Sequence, residues 1–280
     1  MIVEVRTPEE ILVHAIDVGV YRTQRKLFAV LILSFLGGAF IAFASQGSSM
    51  AAFNLLANPD TFGLGRTLKG AVFGIGLMLV IFAGGDVFIG HNVLIVSVLD
   101  RKVSASRMFM HWAVIYAGNL LGSILIAWMM FHTGLFNSSN GLLGGMTITI
   151  AAYKTSLPFH SAFLLGILCN WLVCLAIWIS WATIDITGRT LVVFFIIFLF
   201  VMSGFENSIA NMYYIPAGIL AKDNPQWLIM SGLSLDQLIN LNWLTFFSKN
   251  LIPVTLGNTV GGTVFVGFLY WLSLGKRKRT

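Results

Sequence analysis

Long apolar runs, each about a bilayer in length, alternate with short polar segments over most of the chain. A helix needs about 20 apolar residues to cross the hydrocarbon core. Six runs meet that need: Leu27 to Ser45, Leu68 to Leu99, Phe109 to Phe131, Phe159 to Ala182, Leu191 to Leu220 and Leu251 to Leu274. The second and fifth are too long for one simple helix. Each is interrupted near its middle by a glycine, an acid and an asparagine. Ahead of the first run, "MIVEVRTPEEILVHAIDVGVYRTQRK" is polar and amphipathic. Ile11, Leu12, Ala15, Ile16 and Val20 recur there at helical spacing, which predicts a helix lying along the membrane surface. The segment lacks the basic start, apolar centre and small-residue cleavage site of a signal peptide.

The two halves of the pattern repeat. The second run contains "AGGDVFIGHN" and the fifth "SGFENSIAN"; the third contains "GNLLG" and the sixth "GNTVG". Three crossings per half put the halves in opposite orientations, so the expected architecture is an all-α membrane protein with an inverted 3+3 repeat. Broken helices in matching positions of such a repeat mark a transport pathway near the midplane. Backbone groups freed at a break cannot face lipid and must be covered by protein or line a cavity. The acids at the breaks, Asp86 and Glu206, are expected to tie the broken loops to backbone or asparagine donors, with Asn92, Asn170 and Asn211 as partners. The glycines Gly118, Gly122, Gly257 and Gly261 suit close helix packing.

Composition strengthens this reading. Of 280 residues, 57% are hydrophobic and 10% charged, against roughly 25% charged in a soluble domain. The net charge of +6 does not indicate nucleic-acid binding, because the basic residues sit between the apolar runs and in the tail "GKRKRT". With both termini in the cytoplasm, Arg6, Arg22, Arg25, Lys26, Arg101, Lys102, Arg107, Arg189, Lys276, Arg277, Lys278 and Arg279 lie inside. Arg66, Lys69, Lys154, Lys222 and Lys249 lie outside. This inside excess predicts a multi-pass protein of the cell membrane. One transmembrane domain is expected, with residues 1–26 a cytoplasmic segment, 27–275 the helical body and 276–280 a basic tail. Histidines and cysteines show no metal spacing, and no nucleophile motif suggests an enzyme.

"SGFENSIANMYYIP" (Ser203 to Pro216), "LGILCNWLVCLAIW" (Leu165 to Trp178), "NLIPVTLGNTVGG" (Asn250 to Gly262) and "AGGDVFIGHNVL" (Ala83 to Leu94) resemble the formate/nitrite transporter family. The resemblance covers essentially the whole chain. It implies an aquaporin-like fold, a homopentamer in the lipid bilayer with one pore per protomer, and no cofactor. It also implies small monovalent anions or their acids as substrates: formate, favoured here, or nitrite, hydrosulfide, acetate or lactate.

Mapped onto this chain, the resemblance makes Lys154 the vestibule lysine, which on residue grounds alone reads as an interfacial lysine. It places Phe73, Leu77, Val87, Phe88 and Phe200 at positions that narrow the pore. It also shows two departures: Asn207 stands for the family's central histidine, and Ile89 for the threonine that faces it. His91, where a histidine is not usual, is then either a substitute proton donor or a helix-end hydrogen-bonding group. Asn207 cannot titrate; it either lines the pore or caps the broken helix.

Overall fold

The structure is a computed structural model that describes residues 5–275; residues 1–4 and the basic tail at 276–280 lie outside the described residues. Among the described residues every regular element is helical. Helix α1 is Pro8–Thr23, started by a capping box in which Thr7 and Glu10 each accept the other's backbone N–H. Its apolar face does not lie on a membrane surface, as the pattern suggested. Ile11, Leu12 and Ala15 are buried against the protein, Gly19 sits on Ser97, and Ser97 Oγ donates to the Ile16 carbonyl at 2.9 Å.

Among the described residues six further helices are long and apolar enough to cross a membrane: α2 (Leu27–Leu56), α3 (Pro59–Gly84), α5 (Ala105–His132), α7 (Phe159–Ser180), α8 (Ile186–Ser203) and α11 (Trp243–Leu274). Four shorter helices complete the set used below: α4 (Phe88–Leu99), α6 (Leu142–Ser156), α9 (Ser208–Ala221) and α10 (Pro225–Ser231). The expected interruptions are present, between α3 and α4 and between α8 and α9. Several boundaries and one element differ from the sequence pattern; α3, for instance, begins at Pro59, ahead of Leu68. Helix α2 runs on to Leu56 instead of stopping near Ser45, because its serines are satisfied: Ser45 Oγ donates to the Ile41 carbonyl and Ser48 Oγ to the Ser45 carbonyl. Helix α11 begins at Trp243, ahead of Leu251. Helix α6 was not foreseen, since its 15 residues are too few to span.

The two breaks are built alike. Gly84 (φ 89°) and Gly204 (φ 83°) adopt the left-handed conformation that glycine tolerates. Asp86 N–H then donates to the Leu33 carbonyl at 3.0 Å, and Glu206 N–H to the Leu165 carbonyl at 3.2 Å. Asn119 Oδ1 accepts from Phe88 N–H (2.9 Å) while its Nδ2 donates to the carbonyls of Asp86 (2.8 Å) and Ser34 (2.7 Å). Asn258 does the same for the other half: it accepts from Ser208 N–H (2.9 Å) and donates to the carbonyls of Glu206 (3.0 Å) and Gly166 (2.8 Å). Asn119 and Asn258 are the asparagines of "GNLLG" and "GNTVG". The glycines of those motifs let α5 approach α2 and α11 approach α7, since a Cβ at Gly122 or Gly257 would strike the carbonyl of Phe35 or Phe163.

Candidate functional site

The breaks aim charged side chains into two cavities. The larger, about 380 Å³, is lined by Arg66, Lys69, Phe73, Lys154, Phe200, Glu206, Asn207 and Tyr214 among others. It is called the lysine cavity below. The smaller, about 220 Å³, is lined by His14, Arg22, Leu77, Val87, His91, Ser180 and Arg189 among others. It is called the histidine cavity. Phe73 and Leu77 stand one turn apart on α3, about 6 Å along its axis, yet they face different cavities. The Phe73 and Phe200 rings, on the lysine cavity, meet edge to face at 5.8 Å, and Leu77 and Val87 stand on the histidine cavity; these four apolar side chains are called the septum below.

In the lysine cavity Glu206 is the hub. Its Oε1 accepts from Lys154 Nζ at 2.7 Å and its Oε2 from Asn211 Nδ2 at 2.7 Å. Asn211 Nδ2 also donates to Asn250 Oδ1 (2.8 Å), and Asn250 Nδ2 donates to the Lys154 carbonyl (2.9 Å). Lys154 and Glu206 are buried, at 8% and 2% exposure. Two charges that deep are tolerable only as a hydrogen-bonded pair. The asparagine partner of Glu206 was expected; the lysine partner was not.

A second carboxylate hub stands behind the histidine cavity: Asp86 does not line it, but its partners Arg22 and His91 do. Asp86 Oδ1 accepts from Arg22 Nη1 at 3.1 Å and Oδ2 from Arg25 Nη1 at 3.2 Å. His91 Nε2 lies 3.0 Å from Asp86 Oδ1 and 2.8 Å from Arg22 Nη1. A ring protonated on Nε2 donates to Asp86, whereas a bare Nε2 accepts from Arg22. The partners of Asp86 are thus two arginines and a histidine, not the asparagines foreseen. Each carboxylate touches the residue five positions further on, His91 for Asp86 and Asn211 for Glu206.

Several expected site residues stand elsewhere. Asn92 and Asn170 join neither hub: Asn170 Nδ2 donates to Asn92 Oδ1 (2.9 Å) and to the Asn258 carbonyl (2.7 Å). Phe88 and Ile89 line neither cavity. The Phe88 ring packs edge-on against Trp112 and Tyr116. Ile89 is 1% exposed, and its carbonyl accepts from Cys174 Sγ. His91 occupies the histidine cavity, across the septum from Asn207. Asn207 fills both of its readings: it lines the lysine cavity, and its Oδ1 caps α9 by accepting from Ile209 N–H (2.9 Å) and Ala210 N–H (3.1 Å). Its Nδ2 has no hydrogen-bond partner among the described residues.

Sequence reasoning passed over Asn119 and Asn258, although the repeated "GN" dipeptide marks them. It also passed over Arg22, Arg25 and Asn250, which carry no motif signal.

Two charge-lined cavities separated by an apolar septum, in a body with six membrane-length helices, define a membrane channel or transporter. The chain belongs to the formate/nitrite transporter family, whose sequence model matches residues 9–272. It is 37% identical over 256 residues to a probable formate transporter of Methanothermobacter thermautotrophicus, covering 86% of this chain and 87% of the relative. It is 32% identical over 262 residues to the formate channel FocA of Escherichia coli, covering 91% and 90%. Among solved structures, a pentameric formate channel with formate bound is similar at a TM-score of 0.79 and 36% identity, over 88% of this chain and 97% of that one. An FNT family ion channel is similar at 0.78 and 26% identity, over 94% and 98%. The family is one of channels and transporters, and this chain is an integral membrane protein.

Proposed function

We propose that this chain is a channel for formate or a similar small monovalent acid, with one pore in each protomer of a homopentamer in the cell membrane. The carrying observation is the septum: two cation-lined cavities meet across Phe73, Phe200, Leu77 and Val87. The names of the relatives and the pentameric, formate-bound structural neighbour support the substrate and the assembly. The Lys and Arg distribution supports a lysine cavity facing outside and both termini in the cytoplasm.

The septum decides the transported species. An isolated carboxylate in a low-dielectric constriction costs tens of kcal/mol. Protonating an acid of pKa about 4 at neutral pH costs about 4 kcal/mol, at about 1.36 per unit. Protonation is the cheaper route, so neutral acid, or anion together with a proton, crosses the septum. The Lys154–Glu206 pair lines the outer approach, Asn207 donates from its edge, and His91 is placed for proton exchange on the cytoplasmic side. A second reading, anion conduction, is favoured by one observation: Asn207 Oδ1 is occupied by backbone donors, so its Nδ2 is oriented to solvate an ion.

Formate uptake into voltage-clamped proteoliposomes separates the two. Uptake driven by an imposed pH gradient and indifferent to voltage is expected. Uptake that follows voltage and carries current would establish anion conduction. Absence of formate uptake under both conditions, with nitrite, hydrosulfide, acetate or lactate moving instead, would replace the substrate.

A further inference from the structure

Lys154 was expected to supply the attracting charge of its cavity, but Glu206 already neutralises it at 2.7 Å. Arg66 is also engaged: its Nε and Nη2 donate to the Met202 carbonyl at 3.1 and 2.9 Å, at the C-terminal end of α8. There it faces the partial negative charge of a helix end. Lys69 differs from both. It stands on α3 one turn before Phe73 and lines the same cavity. Among the described residues no carboxylate or carbonyl lies within hydrogen-bonding reach of its Nζ. Its one close partner is the face of Tyr214, 4.6 Å from Nζ to the ring centroid, with Lys154 Nζ 5.4 Å from the same centroid. A ring face leaves the three N–H donors of an ammonium available.

We propose that Lys69 is the docking residue of an oxyanion site in the lysine cavity, holding the incoming anion beside Tyr214 and one helical turn from the Phe73–Phe200 septum. The inference rests on the channel reading and assigns its outer binding site. The charges commit the site to a monovalent ligand. Arg66 and Lys154 already face a helix-end carbonyl and Glu206, so Lys69 is the cation left to meet the single charge of one carboxylate or nitrite. A dianion would place its second charge beside Glu206. Asn207 Nδ2, on the same cavity, offers a second donor.

The test compares wild type with Lys69→Gln and Lys69→Arg in two measurements. The first is line broadening of [13C]formate by detergent-solubilised protein, which reports docking whether or not the anion crosses; neutral formamide is the control. The second is the formate concentration that half-saturates uptake by proteoliposomes. Loss of one charged hydrogen bond should weaken docking and raise the half-saturating concentration about tenfold in Lys69→Gln. Lys69→Arg should restore both, and formamide should be indifferent. Equal docking and uptake in wild type and Lys69→Gln would overturn the site and leave the channel reading standing. Lys69-dependent docking with no uptake by wild type would overturn the channel reading and leave the site. No broadening by wild type would overturn the site whatever the flux. Lys69→Met, which keeps the aliphatic stem, serves if Lys69→Gln fails to assemble.

Discussion

Gly204 is constrained twice, and its counterpart Gly84 only once. Both have positive φ, 83° and 89°, where a side chain costs about 1–2 kcal/mol. A Cβ at Gly204 would also strike the Arg66 guanidinium, whereas at Gly84 nothing lies within 4 Å. Evicting Arg66 removes its charged hydrogen bonds to the half-buried Met202 carbonyl, at about 1–3 kcal/mol. Gly204→Ala should therefore destabilise the protein by about 2–5 kcal/mol in total, and Gly84→Ala by the strain alone. Thermal unfolding in detergent checks the ordering; equal midpoints for the two variants would show that Arg66 moves aside freely. A similar argument applies to Asn258, whose amide serves three backbone groups. No shorter or differently branched side chain reproduces that bonding.

At the scale of elements, what was legible was whatever had a local cause. An acid and a glycine inside an apolar run announce a break, and both breaks fall where "AGGD" and "SGFE" stand. The pairing of Lys154 with Glu206 spans 52 positions, and that of Arg22 with Asp86 spans 64. Nothing local encodes either. Helix α6 escaped notice because its glycines and threonines weaken the apolar signal and its length falls short of a membrane. Helix α1 was legible as amphipathic, but the surface that receives its face was not. That docking is sensitive to acid. Burial, and then the charges of Arg6 and Arg189, hold the His14 imidazole below its ordinary value of 6.5, with Asp17 opposing. An undocked α1 binds the proton more readily than a docked one. The docked state is therefore favoured above about pH 6.5 and loses ground as pH falls from 6.5 toward the lowered value. Protection factors over residues 8–23, with the intrinsic pH dependence of amide exchange divided out, should fall on acidification through that window, and His14→Leu should flatten the response. Protection factors independent of pH in the wild type would show that His14 stays solvated in the docked helix.

For the whole molecule, the arrangement is two cation-lined cavities with Phe73 and Phe200 on one and Leu77 and Val87 on the other, and in the proposed channel selectivity follows from that apolar layer. The charges around it are an excess of cations: Arg66, Lys69 and Lys154 against Glu206 on one side, Arg22 and Arg189 on the other, with Arg22 and Arg25 bonded to Asp86. In the proposed channel the cavities attract anions and the apolar layer rejects the bare charge. Its weakest member is Phe200, which meets Phe73 edge to face at 5.8 Å and comes from the end of α8, just before the break. Truncation in a closed core would cost about 3–5 kcal/mol. One side of Phe200 already borders open space, so Phe200→Ala should cost less and connect the chambers by a wetted path. The expected result is a protein that assembles, conducts anions under an applied voltage and loses its preference for the protonated acid. Planar-bilayer recording reads this directly. If Phe200→Ala carries no more current than wild type, the Phe73–Phe200 contact is not the barrier, and the rejecting layer lies deeper, at Leu77 and Val87.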